Sequence, residues 1–71
     1  MKMLIIEDEK PAARRLQQLL QKYRPQADVL ALIDSVEKAV QWFQDNPGPD
    51  LMFLDIQLAD GLSFDIFREV E

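Results

Sequence analysis

Cysteine and histidine are both absent from the chain. The first absence excludes a disulfide framework and a thiolate metal site. The second removes a histidine nucleophile, a histidine base and a His-ligated zinc centre. Glycine is scarce, with 2 in 71 residues, and no glycine-rich loop follows the first apolar segment, so the fingerprint of a nucleotide-binding Rossmann domain is missing. No apolar run approaches the roughly 18 residues of a membrane span. The N-terminus lacks the long apolar region and small-residue cleavage site of a signal peptide. A cytoplasmic protein with no membrane partner is therefore expected. Basic residues are outnumbered by acids, 8 against 13, for a formal net charge of -5. Direct nucleic acid contact needs a basic footprint, which this segment does not have.

What remains is a small, apolar-rich chain. Hydrophobic residues make up 48% of it, ample for a core and against disorder. The length suits one small domain, and at about 60 residues a chain buries only ~60% of its unfolded surface. The elements alternate. Met3 to Ile6 is a short apolar run, expected as a buried strand. Pro11 then suits the first turn of a helix, where its missing N–H costs nothing. Ala12, Ala13, Leu16, Leu19, Leu20 and Tyr23 recur at helical spacing, and Pro25 stops that helix. Ala27 to Ile33 is expected as a second strand, followed by Asp34 or Ser35 as N-cap of a second helix with the stripe Val36, Ala39, Val40 and Phe43. The breakers Asp45-Asn46-Pro47-Gly48-Pro49 end it. Leu51 to Leu54 is a third strand, Ala59-Asp60-Gly61 a turn, and Leu62, Ile66, Phe67 and Val70 mark a third helix running to the last residue. This βαβαβα order predicts an α/β fold with a parallel sheet and right-handed crossovers.

Two apolar strands end in carboxylates. Glu7 and Asp8 close the first, Asp55 the third. In a doubly wound sheet of strand order 2-1-3 these strands are neighbours, and ligands bind at the carboxyl edge. Acids gathered there bind a cation, hold a proton, or repel one another. Single acids in strand-end loops are ordinarily just solvated, but a paired set on adjacent strands points further. Hard oxygen ligands without nitrogen or sulfur suit Mg²⁺ or Mn²⁺. Among the other polar and aromatic residues, Asp60 is expected to cap the third helix, Lys10 to be a solvated loop lysine and Trp42 to be partly exposed packing. Phe53, Phe64 and Phe67 are expected in the core.

The segment Leu4-Ile5-Ile6-Glu7-Asp8-Glu9, followed by Pro11 and an amphipathic helix, resembles the opening of a response-regulator receiver domain. Leu51-Met52-Phe53-Leu54-Asp55-Ile56-Gln57-Leu58, followed by Asp60-Gly61, resembles that family's phosphoacceptor segment. The Glu-Asp-Glu opening and the Asp-Ile-Gln tripeptide are most similar to receivers that precede LytTR-type DNA-binding domains. The resemblance implies a flavodoxin-like doubly wound sheet. It also implies that Asp55 accepts a phosphoryl group from the phosphohistidine of a sensor histidine kinase. Asp8 would ligate Mg²⁺ directly, Glu7 directly or through water, and Gln57 would offer its backbone carbonyl to the metal. Many receivers have proline where this chain has Ala59, a difference that leaves the metal set intact.

The resemblance covers residues 1–71 as the N-terminal portion of one receiver domain. The family's fourth and fifth strands, with their Ser/Thr and lysine, and any output domain are outside it. DNA binding would be expected only of such an output domain. Two expectations arise from this: stabilisation of phosphoryl charge is incomplete here, and the free edge of the third strand invites self-association. The alternative to a phosphoacceptor is a half-receiver that serves as an unphosphorylated interaction module. A haloacid dehalogenase-type phosphatase wants an Asp two residues after the nucleophile, where this chain has Gln57.

Overall fold

Met3, Leu4, Ile5 and Ile6 are each at most 5% exposed, so the first apolar run is covered on both faces. That burial makes it the centre of a sheet. In the computed structural model, which describes residues 1–69, strand β1 (Lys2–Ile6) is followed by α1 (Lys10–Tyr23), β2 (Asp28–Ile33), α2 (Val36–Asp45) and β3 (Leu51–Leu54). The three strands form one sheet of order β2-β1-β3, with both pairings parallel. This is the expected 2-1-3 order of a doubly wound, flavodoxin-like α/β fold.

Alternation along β1 sorts its side chains between two layers. Leu4 and Ile6 join Ile33, Ala39, Leu58 and Ile66 in the main core, with Trp42, Phe43, Met52 and Leu54 packed around them. Ile5 faces the other way, into a cleft of about 270 Å³ that it shares with Ala13 and Leu16 of α1 and Phe53 of β3. Each fully buried β1 side chain contributes about 1.5–3 kcal/mol relative to exposure.

The helices begin and end where their sequences dictate. Pro11 sits in the first turn of α1, and the helix closes just before Pro25, whose ring disfavours helical geometry in the residue ahead of it. Of the two candidate caps for α2, Ser35 takes the position, and its hydroxyl accepts from the Lys38 N–H at 3.1 Å. Asp34 instead pairs with the Lys38 ammonium at 3.0 Å. That partner holds its carboxyl below the usual range.

Residues after Asp55 differ from the expected plain turn and helix. A two-stranded antiparallel hairpin comes first, β4 (Gln57–Leu58) with β5 (Gly61–Leu62). A 3₁₀ turn over Ser63–Asp65 then leads into α3 (Ile66–Glu69). Leu62 is therefore a strand residue, and Val70 lies outside the described residues. The Ala59-Asp60 turn stands, with Gly61 at φ 152°, where a Cβ would also meet the Asp65 carboxylate at 3.2 Å. Asp60 does not cap the third helix. Its two carboxylate oxygens accept from the N–H groups of Val36 and Glu37, at 2.8 and 3.0 Å, capping α2 from 24 and 23 residues away. Phe64 and Phe67, expected in the core, are 58% and 46% exposed, while Phe53 is half-buried. Ile66 of the expected stripe is in the core, and Leu58 of the hairpin joins it there. Trp42 is half-buried and meets Phe43 edge to face at 5.2 Å, in keeping with a packing role.

Ile66 is fully buried. Ile66→Ala is expected to destabilise the protein by about 2–5 kcal/mol, with Phe64→Ala costing a small fraction of that. Urea unfolding of both variants checks it. Equal losses would place the apolar anchor of this region elsewhere.

Candidate metal and phosphoacceptor site

The two backbone bonds that continue the sheet past its last residues set the site. The Glu7 N–H donates to the Ile33 carbonyl at 2.8 Å, and the Asp55 N–H donates to the Ile6 carbonyl at 2.9 Å. Ile6 is opposite both Ile33 and Leu54 in the register. The three strands thus end level, and the residues just past their ends emerge together at the carboxyl edge.

The acids meet there. Glu7, Asp8 and Asp55 each offer a carboxylate oxygen within 4.8 Å of the other two, and all three side chains are partly buried. Among the described residues, no N–H or ammonium group hydrogen-bonds or ion-pairs with any of the three side chains. Their close polar neighbours are one another. The consequence is visible in Glu7, whose carboxyl is pushed from 4.5 up to about 7. Its partial burial is the largest cause, followed by its hydrogen bond to Asp55 and by the negative charges of Asp55, Asp8 and Glu9. Burial and the like charges around it thus both favour the protonated form of Glu7.

The remaining sequence-derived residues lie around this centre. Gln57 is on β4, two residues beyond Asp55 and exposed. Lys10 opens α1, is exposed, and with Glu7, Arg14 and Asp34 borders a second cleft of about 190 Å³. Asp55 and Glu7 also form the polar mouth of the apolar cleft between α1 and the sheet. Sequence reasoning missed the role of Asp60. Its turn chemistry was legible, but its partners are remote in the chain and no local pattern announces them.

The donor set fits a hard divalent cation on this geometry. Three carboxylates converge, no sulfur or nitrogen ligand is among them, and their like charges add to burial in raising the Glu7 carboxyl. Mg²⁺ is commonly held by one or two carboxylates plus oxygens from water and phosphate.

No family model matches the chain. It is similar to the sensory transduction protein LytT of Enterococcus faecalis, 41% identical over 70 residues that make up 99% of this chain and 28% of that protein. It is also similar to LytT of Bacillus anthracis, 36% identical over 66 residues, or 93% of this chain and 26% of that protein. LytT of Bacillus cereus is 35% identical over 66 residues, with the same shares of 93% and 26%. The chain thus spans about a quarter of the length of the curated relatives it matches. Among solved structures, a fusion carrying the yeast Spc42 trimeric coiled coil, amino acids 181–211, aligns with a TM-score of 0.80 and 28% identity. The alignment covers all of this chain and 48% of that one. A coiled-coil segment cannot supply a three-stranded sheet, so the likeness lies in the part to which the coiled coil is fused. Sequence and fold together make the chain a relative of the LytT sensory transduction proteins, of the response-regulator receiver type.

Proposed function

We propose that this chain is the phosphoacceptor segment of a two-component response regulator that works in the cytoplasm. Asp55 accepts a phosphoryl group from the phosphohistidine of a sensor histidine kinase. Glu7, Asp8, Asp55 and the backbone carbonyl of Gln57 are the groups that would hold Mg²⁺, or Mn²⁺ in its place. The observation that carries this reading is the meeting of three carboxylates within 4.8 Å at the carboxyl edge of the sheet.

The chemistry asks little of the chain beyond position and charge. A carboxylate oxygen of Asp55 attacks phosphorus, the P–N bond to the donor imidazole breaks, and a new P–O bond leaves an acyl phosphate on Asp55. The imidazole departs with the bond's electron pair and takes up a proton. The obstacle is repulsion between the attacking anion and the phosphoryl oxygens, and a bound divalent cation supplies the neutralising charge for it. Asp55 is held for the attack through its own N–H on Ile6. Glu7 and Asp8 contribute the negative charge that draws a cation to this edge. The reaction is a self-modification with a covalent product, so the chain is a signalling domain and not a turnover enzyme.

A second reading rests on a different observation. Among the described residues, β3 pairs on one side only, and Leu51 at its start is 43% exposed. An unpaired strand edge templates pairing with another chain. In this reading the segment is an interaction module that associates through β3 without being phosphorylated.

Two measurements test the proposal. Acetyl phosphate is expected to label the protein only with Mg²⁺ or Mn²⁺ present, and Asp55→Asn is expected to abolish the label. Labelling that survives this substitution would refute Asp55 as acceptor, and its absence from an intact, associated wild type would favour the interaction module. The second measurement concerns pH. Glu7 is raised in the folded state, so its contribution to stability is full below 4.5 and is lost as pH rises through about 7. In EDTA, the melting temperature of the wild type should fall between pH 5 and 8. Glu7→Gln should flatten that fall, and Mg²⁺ should oppose it. Parallel curves for wild type and Glu7→Gln would show that the strain lies elsewhere.

A further inference from the structure

The hairpin that carries Gln57 is too small to hold itself in place. Each of its strands has two residues, and even a full-length isolated hairpin is at best marginal in water. Contacts outside its own pairing fix it, among them the Leu62 N–H donating to the Asp65 carboxylate at 3.3 Å. Leu58 is 3% exposed in the main core. The Ser63 N–H donates to the Ile56 carbonyl at 2.9 Å, closing the base. At the tip, Asp60 reaches α2 with both oxygens, on Val36 and Glu37.

The Asp60 contact ties the hairpin by polar groups to α2, an element remote in the chain. It also completes the helix end. Ser35 satisfies the Lys38 N–H with its hydroxyl and the Ala39 N–H with its carbonyl, at 3.1 Å each. That leaves the N–H groups of Val36 and Glu37, and the hairpin supplies their acceptors. Both bonds run from amides to an ionised carboxylate, which are stronger than neutral pairs, and they lie at the positive end of the helix. The same two amides hold the Asp60 carboxyl below its usual range.

We infer that Asp60 is a positioning residue for the metal site: by latching the hairpin tip to the first turn of α2, it fixes the segment from Asp55 to Gln57, whose carbonyl belongs to the proposed metal set. This rests on the reading of Glu7, Asp8, Asp55 and Gln57 as the metal set. Asp60 is not itself a ligand, and its partners are two backbone amides of another element. Outer groups that orient metal ligands commonly cost 10–100-fold in affinity when removed.

Positioning and helix stability are separable, because Ser35→Ala removes a cap from the same helix without touching the hairpin. Mg²⁺ alone is titrated into wild type, Ser35→Ala, Asp60→Ala and Asp60→Asn, followed by the NMR signals of the backbone amides from Asp55 to Leu62 and of the site carboxyl carbons. Ser35→Ala should bind within about twofold of wild type. Asp60→Ala should need roughly tenfold more Mg²⁺, with altered amide signals at Gln57 and Leu58 before any metal is added. Asp60→Asn keeps one acceptor oxygen and should fall between. If the alanine variant does not fold, the asparagine variant decides alone, and an unshifted titration there overturns the inference. So does an Asp60→Ala titration that matches wild type, or an equal shift in Ser35→Ala. A wild type whose site carboxyl carbons ignore Mg²⁺ refutes the metal reading itself and the positioning role with it. Metal binding that is intact but indifferent to Asp60 refutes the positioning role alone.

Discussion

Everything at the carboxyl edge depends on β1 being held from both sides. Its four inner residues are buried, and its last carbonyl accepts from Asp55 while Glu7 donates to the last residue of β2. Parallel pairing of this kind aligns strand ends only if the registers agree. Here they do, because Ile6 sits opposite Ile33 and Leu54 together. A one-residue slip of β3 would send Asp55 to the other face of the sheet. The acidic site is thus a consequence of packing Leu4 and Ile6 against α2 and α3 and Ile5 against α1.

That arrangement sets electrostatics against packing. The apolar strands bring three carboxylates to a partly buried edge where none has a donor among the described residues, and burial together with the like charges raises the Glu7 carboxyl. A proton and a divalent cation are alternative answers to the same excess charge. In the proposed reading, proton and metal affinity at this edge are linked, with metal favoured as pH rises. Removing the strain outright, by replacing an acid with a neutral residue, would also remove the charge that draws a cation. Clustered like charges of this type are common at sites with chemical work to do.

The legible part of the chain was the part whose signals are local. The apolar runs Met3 to Ile6 and Leu51 to Leu54, bounded by polar turns, carry their strand character in four residues each. Pro11, Pro25 and the Asp45 to Pro49 breakers mark helix ends locally, although Asp45 itself is the last residue of α2. Strand order and the shared edge of Glu7, Asp8 and Asp55 were then reached through topology and family resemblance. The region after Asp55 was less readable. A hairpin of two residues per strand is too short for a period to show. Leu62 therefore looked helical, and Phe64 and Phe67 looked buried at spacings that fit a longer helix. Of that stripe Ile66 reached the core, and Leu58 of the hairpin joined it. Asp60 lay beyond local reasoning for a different reason, since its acceptor role joins residues 24 positions apart.

The acids of this chain separate by the company they keep. Asp60 meets two helix amides, Asp34 meets Lys38, and Asp50 accepts the Lys2 N–H at 2.8 Å where β1 and β3 begin. Each of these carboxylates has a donor and ties two pieces of structure together. Glu7, Asp8 and Asp55 have only one another among the described residues. Other acids without a donor among the described residues, such as Glu9, Asp28 and Glu37, are exposed and meet water, whereas these three are partly buried. Their edge marks a place where negative charge is gathered and left open. That is the charge the proposed cation would neutralise, and donors already bound to these oxygens would compete with it.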